Sequence, residues 1–182
     1  MRVTVRKADV DDAQAIAAVH AAGLQAAYRP LIPERLAHLV LDPPDAAKRV
    51  PGWRQCLERT RISTTVVACD ELAVVGFCTL RSASRGRAGG PIGEVWALFV
   101  EPSHWRRGIG RLLCERTLSD AWSRGFGGVE VWELESNARA RRFVHAMGFR
   151  PDGGTRVFLE HAGVSLRDLR YRLTAPAAEG SG

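Results

Sequence analysis

Lysine is nearly missing from this sequence: of 26 basic residues only Lys7 and Lys48 are lysines, which leaves 24 arginines to carry the positive charge. No apolar run approaches the roughly 20 residues that cross a bilayer, so no membrane partner is expected. The N-terminal stretch MRVTVRKADV has no apolar core of a secretory signal, which makes the cytoplasm the expected compartment. Cys56, Cys69, Cys78 and Cys114 contain no CxxC pair and no histidine at ligand spacing. They are predicted to be small buried hydrophobes, and no metal is expected. There is no internal repeat and no linker that would separate two cores.

What is present is an ordinary globular composition. The 182 residues are 46% hydrophobic and 25% charged, enough for one domain with a substantial core. We expect that domain to span residues 1–174, followed by a disordered tail over 175–182 (APAAEGSG). The tract Ser82–Gly90 (SASRGRAGG) reads as a mobile loop. The net charge of +6 favours an anionic partner.

Periodicity gives the elements. Val3-Thr4-Val5 is a short strand, and Asp9 offers an N-cap to a helix with Ile16, Val19, Gly23, Leu24 and Ala27 on one face. Pro30 ends it; Pro33 opens a second helical stretch, Pro43-Pro44 breaks that, and a third carries Trp53 and Leu57. Thr64–Cys69 and Ala73–Leu80 form a hairpin around Asp70-Glu71, and Ile92–Val100 is a further strand. Leu113, Cys114, Thr117, Leu118, Ala121 and Trp122 stripe an amphipathic helix closed by Gly125. Val129–Leu134 is a strand, and Ser136 or Asn137 caps a helix that buries Ala140, Phe143, Val144 and Met147. Thr155–Glu160 and Leu166–Leu173 close the chain. The order is that of a mixed α/β sheet.

The informative stretch is EVWALFVEPSHWRRGIG, Glu94–Gly110. A buried strand runs into a loop of two arginines and two glycines, and the loop opens a helix. Successive N–H groups at a helix N-terminus, with the helix dipole behind them, make an anion cradle. Gly108 and Gly110 allow the backbone to approach a phosphate closely, and Arg106 and Arg107 add charge-assisted hydrogen bonds. No GK[ST] follows, so this is not a Walker loop, and Leu113 and Cys114 stand where a dinucleotide fingerprint needs its last glycine.

Thirty residues on comes NARARRFVHAMGF, Asn137–Phe149. Together, V-x-P-x-x-x-x-x-G-x-G-x-x-L-L and N-x-R-A-x-x-F-x-x-x-x-G-F resemble the GCN5-related N-acetyltransferase (GNAT) superfamily. The two motifs span Glu94 to Phe149, and the flanking elements follow that family's order. The resemblance implies a single-domain, mostly antiparallel sheet flanked by helices, with a splayed central strand pair. It implies acetyl-CoA as donor and a primary amine as acceptor. The pantetheine arm would lie against the backbone of Leu98, Phe99 and Val100. The diphosphate would lie on the loop Trp105, Arg106, Arg107, Gly108, Ile109, Gly110 and Arg111. Asn137 matches the family's asparagine near the thiol. Two positions depart from the pattern. Trp105 stands where the loop usually begins with Arg or Gln, and Val144 stands where many relatives carry a tyrosine that protonates the departing thiolate. A thiol of pKa near ~8.5 can leave unassisted.

Transfer to an amine of pKa near ~10.4 needs a base. Strict alternation would place Glu94, Trp96, Leu98 and Val100 on one strand face, so Glu94 is the expected base and Glu133 the reserve. Glu130 and Glu135 look more peripheral. The acceptor is expected to be a small-molecule amine bordered by Tyr28, Trp53 and the Ser82–Gly90 loop. A protein α-amine or lysine is the alternative, as is a non-catalytic acyl-CoA sensor. A homodimer is common in such families. The chain lacks a zinc pattern, a helix-turn-helix signature and interleaved aromatic and basic residues, so no nucleic-acid partner is expected. The arginines around the cradle, with Arg139, Arg141 and Arg142 on the next helix, give the positive charge a local use at the donor's phosphates.

Overall fold

The computed structural model describes residues 3–41, 45–59, 63–85 and 90–176. After strand β1 (Val3–Lys7), the Asp9 side chain accepts from the Asp11 amide, and Asp12 returns a bond to the Asp9 amide. Arg6 grips the same Asp12 carboxylate with two bonds of 2.7 Å. This cap turns the chain into α1 (Ala13–Tyr28), whose Ile16, Ala17 and Val19 are buried. Arg29–Leu31 is a single 3-10 turn, as Pro30 requires. The second helical stretch is a 3-10 turn leading into the short α2 (Ala37–Leu41). Pro43-Pro44, expected to end it, lies outside the described residues. α3 (Val50–Glu58) buries Trp53.

β2 (Ser63–Asp70) and β3 (Ala73–Arg85) form the expected hairpin, but β3 is longer than its apolar run. Ser82–Arg85, read from sequence as loop, continue the strand opposite Pro91–Gly93; only residues 86–89 of that tract fall outside the described residues. Pairing to a neighbour overrides the weak strand preference of Ser, Ala and Arg. β4 (Pro91–Val100) then leads through a 3-10 turn to α4 (Ile109–Ser123), which Gly125 closes at φ +76°. β5 (Gly128–Leu134), α5 (Ala138–Ala146), β6 (Arg150–His161) and β7 (Val164–Thr174) complete the described elements. Of the tail expected over 175–182, residues 177–182 lie outside the described residues.

The strands form one sheet, ordered β1-β2-β3-β4-β5-β7-β6, antiparallel except for the β4–β5 pair. α4 and α5 cover one face, where Ile109, Leu113, Cys114, Leu118 and Val144 pack on Val66, Leu80, Val95 and Val131. α1 and α3 cover the other, where Ile16, Val19 and Trp53 pack on Val67, Phe77 and Ala97. Cys69, Cys78 and Cys114 are buried in these cores and all four thiols are free. Burial pushes the Cys78 thiol up to about 12, so it stays neutral. No described helix is long and apolar enough to cross a membrane.

Candidate active site

β4 and β5 pair only from Ile92–Val95 to Gly128–Val131; beyond that they part. The gap exposes β4 backbone, and the ladder on its other side shows which groups. Glu101 N–H donates to Val75 O, at 2.9 Å, next to the Gly76–Val100 pair. By antiparallel alternation the N–H and C=O groups of Leu98 and Val100 therefore face the gap, while those of Phe99 face β3. Phe99 contributes its ring instead, which tilts against His20 at 4.9 Å between centroids. Burial lowers the His20 pKa to about 4, so it accepts the Trp53 indole N–H (3.3 Å) as a neutral ring. α1 passes close by: a Cβ on Gly23 would stand 2.8 Å from Phe99 Cδ1.

The gap opens into a cavity of about 820 Å³. One end is the start of α4. Gly108 is its N-cap at φ +81°, with nothing within 4 Å of a would-be Cβ. The helix ladder opens with Leu112 N–H donating to Gly108 O at 3.1 Å. The amides of Ile109, Gly110 and Arg111 thus have no partner within the helix and point out of its positive end. Trp105 and Arg106 line the same end, as does Arg139 from α5. The Asn137 side-chain oxygen accepts from Ala140 N–H at 3.1 Å and caps α5, which leaves its amide nitrogen as the donor for the cavity it lines.

The carboxylates sort differently from the alternation argument. Thr79 pairs with Ala97 but Leu80 pairs with Val95, so Trp96 is an extra residue, a β-bulge. The bulge resets the faces. Glu94 shares its face with Ala97 and Phe99, on the α1 side, whereas Val95, Leu98 and Val100 face α4. Glu94 is buried and held by Arg81 at 3.0 and 3.1 Å, and it is not among the residues that line the cavity. Glu130 is likewise engaged, by Arg172. Glu133 does line the cavity, and burial, with the Asp168 carboxylate nearby, pushes its carboxyl up to about 8. Tyr28 also lines it, and burial followed by the nearby Glu133 raises its pKa, so the phenol stays neutral. Trp53 instead belongs to the core.

Residues 32–149 match the model of the acetyltransferase (GNAT) family. The chain belongs to that family. This GNAT-family chain is 26% identical, over 92% of its length and 90% of the other's, to the uncharacterised N-acetyltransferase YuaI of Bacillus subtilis strain 168. Its fold matches the PaiA N-acetyltransferase of Thermoplasma acidophilum, solved with coenzyme A, with a TM-score of 0.73 and 14% identity over 96% of this chain and 100% of that one. It also matches the yncA protein of Salmonella typhimurium, solved with its cofactor acetyl-CoA, with a TM-score of 0.72 and 19% identity over the whole of both chains.

The GNAT-family chain is an acetyl-CoA-dependent acyltransferase, and its residues suit that donor. The unpaired amides of the α4 start and the open Gly108 fit a diphosphate, and the Leu98 backbone and the Val100 N–H fit an amide-bearing arm, the Val100 carbonyl being taken by the Trp105 indole N–H. Val144, in the tyrosine's place, is 4% exposed and packed in the α4-side core, so it offers no proton. The neighbouring His145 is exposed and lies edge-on to Tyr171.

Proposed function

We propose that the chain acetylates a primary amine of a small molecule by direct attack, with Glu133 as the general base. The observation that supports this reading is Glu133 itself. It is a half-buried carboxyl on the wall of the cavity where β5 leaves β4, raised to about 8. A base with a pKa near the working pH can take a proton from an ammonium and pass it on. Glu94, the first expectation, is neutralised by Arg81 and turned to the α1 side, which suits it to holding β3 to β4. Bound acetyl-CoA supplies the acyl group as a thioester. Leu98 and Val100 offer backbone donors in the gap, and Asn137 offers its amide nitrogen. Tyr28 and Glu133 border the acceptor side and offer a hydroxyl and a carboxyl as hydrogen-bond partners for an amine.

The test is thiol release from acetyl-CoA over a panel of small amines and peptides, in the wild type, Glu133→Gln and Glu94→Gln. We expect small amines to serve, and Glu133→Gln to lower kcat about 100-fold with acetyl-CoA affinity kept. A larger loss in Glu94→Gln than in Glu133→Gln would return the base to Glu94. Turnover of peptides alone would make the acceptor a protein, and acetyl-CoA binding without turnover of any amine would make the chain a sensor.

A further inference from the structure

We propose that Arg139, held over the Trp105 ring, is the side chain that binds the donor's diphosphate, so that α5 and not the α4 loop supplies the decisive cation. The proposal rests on the acetyl-CoA-dependent reading above. Trp105 is fixed first: its indole N–H donates to Val100 O at 2.7 Å, which locks the ring over the end of β4. The Arg139 guanidinium carbon lies 3.7 Å from the ring centroid. At that distance the cation is stacked on the π face. A guanidinium held over a ring in this way keeps N–H groups to offer to two oxygens at once, and among the described residues no hydrogen bond occupies those of Arg139.

The charge around it is lopsided. Among the described residues no carboxylate pairs with Arg139, and burial lowers its pKa with no acid to counter it. Two of the neighbouring arginines are otherwise engaged, while Arg106 shares the α4 end of the cavity. Arg111 lies 3.5 Å from Glu115, and Arg141 donates to the Tyr171 hydroxyl and the Glu135 carbonyl. Arg139 and Trp105 both line the cavity beside the free amides of the α4 start. A pre-positioned cation lining the same cavity as unpaired amides is complementary to a doubly charged bridging group.

Calorimetry with CoA, dephospho-CoA and pantetheine, on the wild type, Arg139→Ala and Trp105→Leu, tests this. Arg139→Ala should weaken CoA and dephospho-CoA equally, by about tenfold to a hundredfold, and leave pantetheine unchanged. Trp105→Leu should weaken CoA too, and should add little to the loss once Arg139 is already alanine. Unchanged CoA affinity in Arg139→Ala overturns the proposal. So does an equal loss for pantetheine, which would mean a structural role, or a loss for CoA alone, which would place Arg139 on the 3′-phosphate. A wild type that binds no CoA would instead overturn the acetyl-CoA-dependent reading.

Discussion

If Glu133 is the base, as proposed, it connects catalysis to stability through one proton. Its ordinary value is 4.5 and in the folded chain it is about 8. Between those two values the folded chain keeps a proton that the unfolded chain has released, so stability falls as pH rises across that window. Asp168, also raised by burial although Arg156 pulls the other way, adds a slope of the same sign. We expect Glu133→Gln to flatten this decline and to melt above the wild type at pH 8–9, measured by thermal denaturation across pH. The wild-type kcat should climb as pH passes through about 8 and the carboxyl becomes a competent base. Glu133 was legible in the sequence as the reserve base, but its shifted pKa was not. The shift comes from burial and from Asp168, 35 residues away in the chain, and composition cannot report either. The Trp105–Arg139 stack was hidden for the same reason.

At the scale of elements, the loop and helix that follow β4 were legible, because their signals are local. A glycine in the left-handed region, an apolar stripe and a closing glycine fix α4 without help from the rest of the fold. Gly108 gives the sharpest element-scale expectation. At φ +81° an added methyl meets no atom, so Gly108→Ala costs only backbone strain, about 1–2 kcal/mol. Relief of that strain would rotate the amides of the cradle. Calorimetry should show weaker CoA binding in this variant, and chemical denaturation should show the modest loss of stability. The β4 bulge was not legible, since a period of two carries no mark of an inserted residue. That one residue moved Glu94 to the face opposite Leu98 and Val100, and with it changed the choice of base. Ser82–Arg85 were misread for a related reason: strand pairing there comes from Pro91–Gly93, not from their own preference.

For the whole molecule, the arginine excess has a physical consequence beyond the site. A net charge of +6 should speed the arrival of a polyanionic donor, and salt should slow it. Stopped-flow association of acetyl-CoA should slow between roughly 0.01 M and roughly 0.15 M salt, as the Debye length contracts from about 30 Å to about 8 Å. Dissociation should change less, since it is governed by contacts inside the cavity.

The parting of β4 from β5 also makes the sheet mechanically two-part. One leaf is β1-β2-β3-β4, the other β5-β7-β6, and the seam between them is stitched only where Ile92–Val95 meet Gly128–Val131. A ligand lying in the open part of the seam acts as a clasp across both leaves. Hydrogen exchange of the β5 and β7 amides should therefore slow on CoA binding, while the β1–β2 amides, on the far side of one leaf, keep their rates.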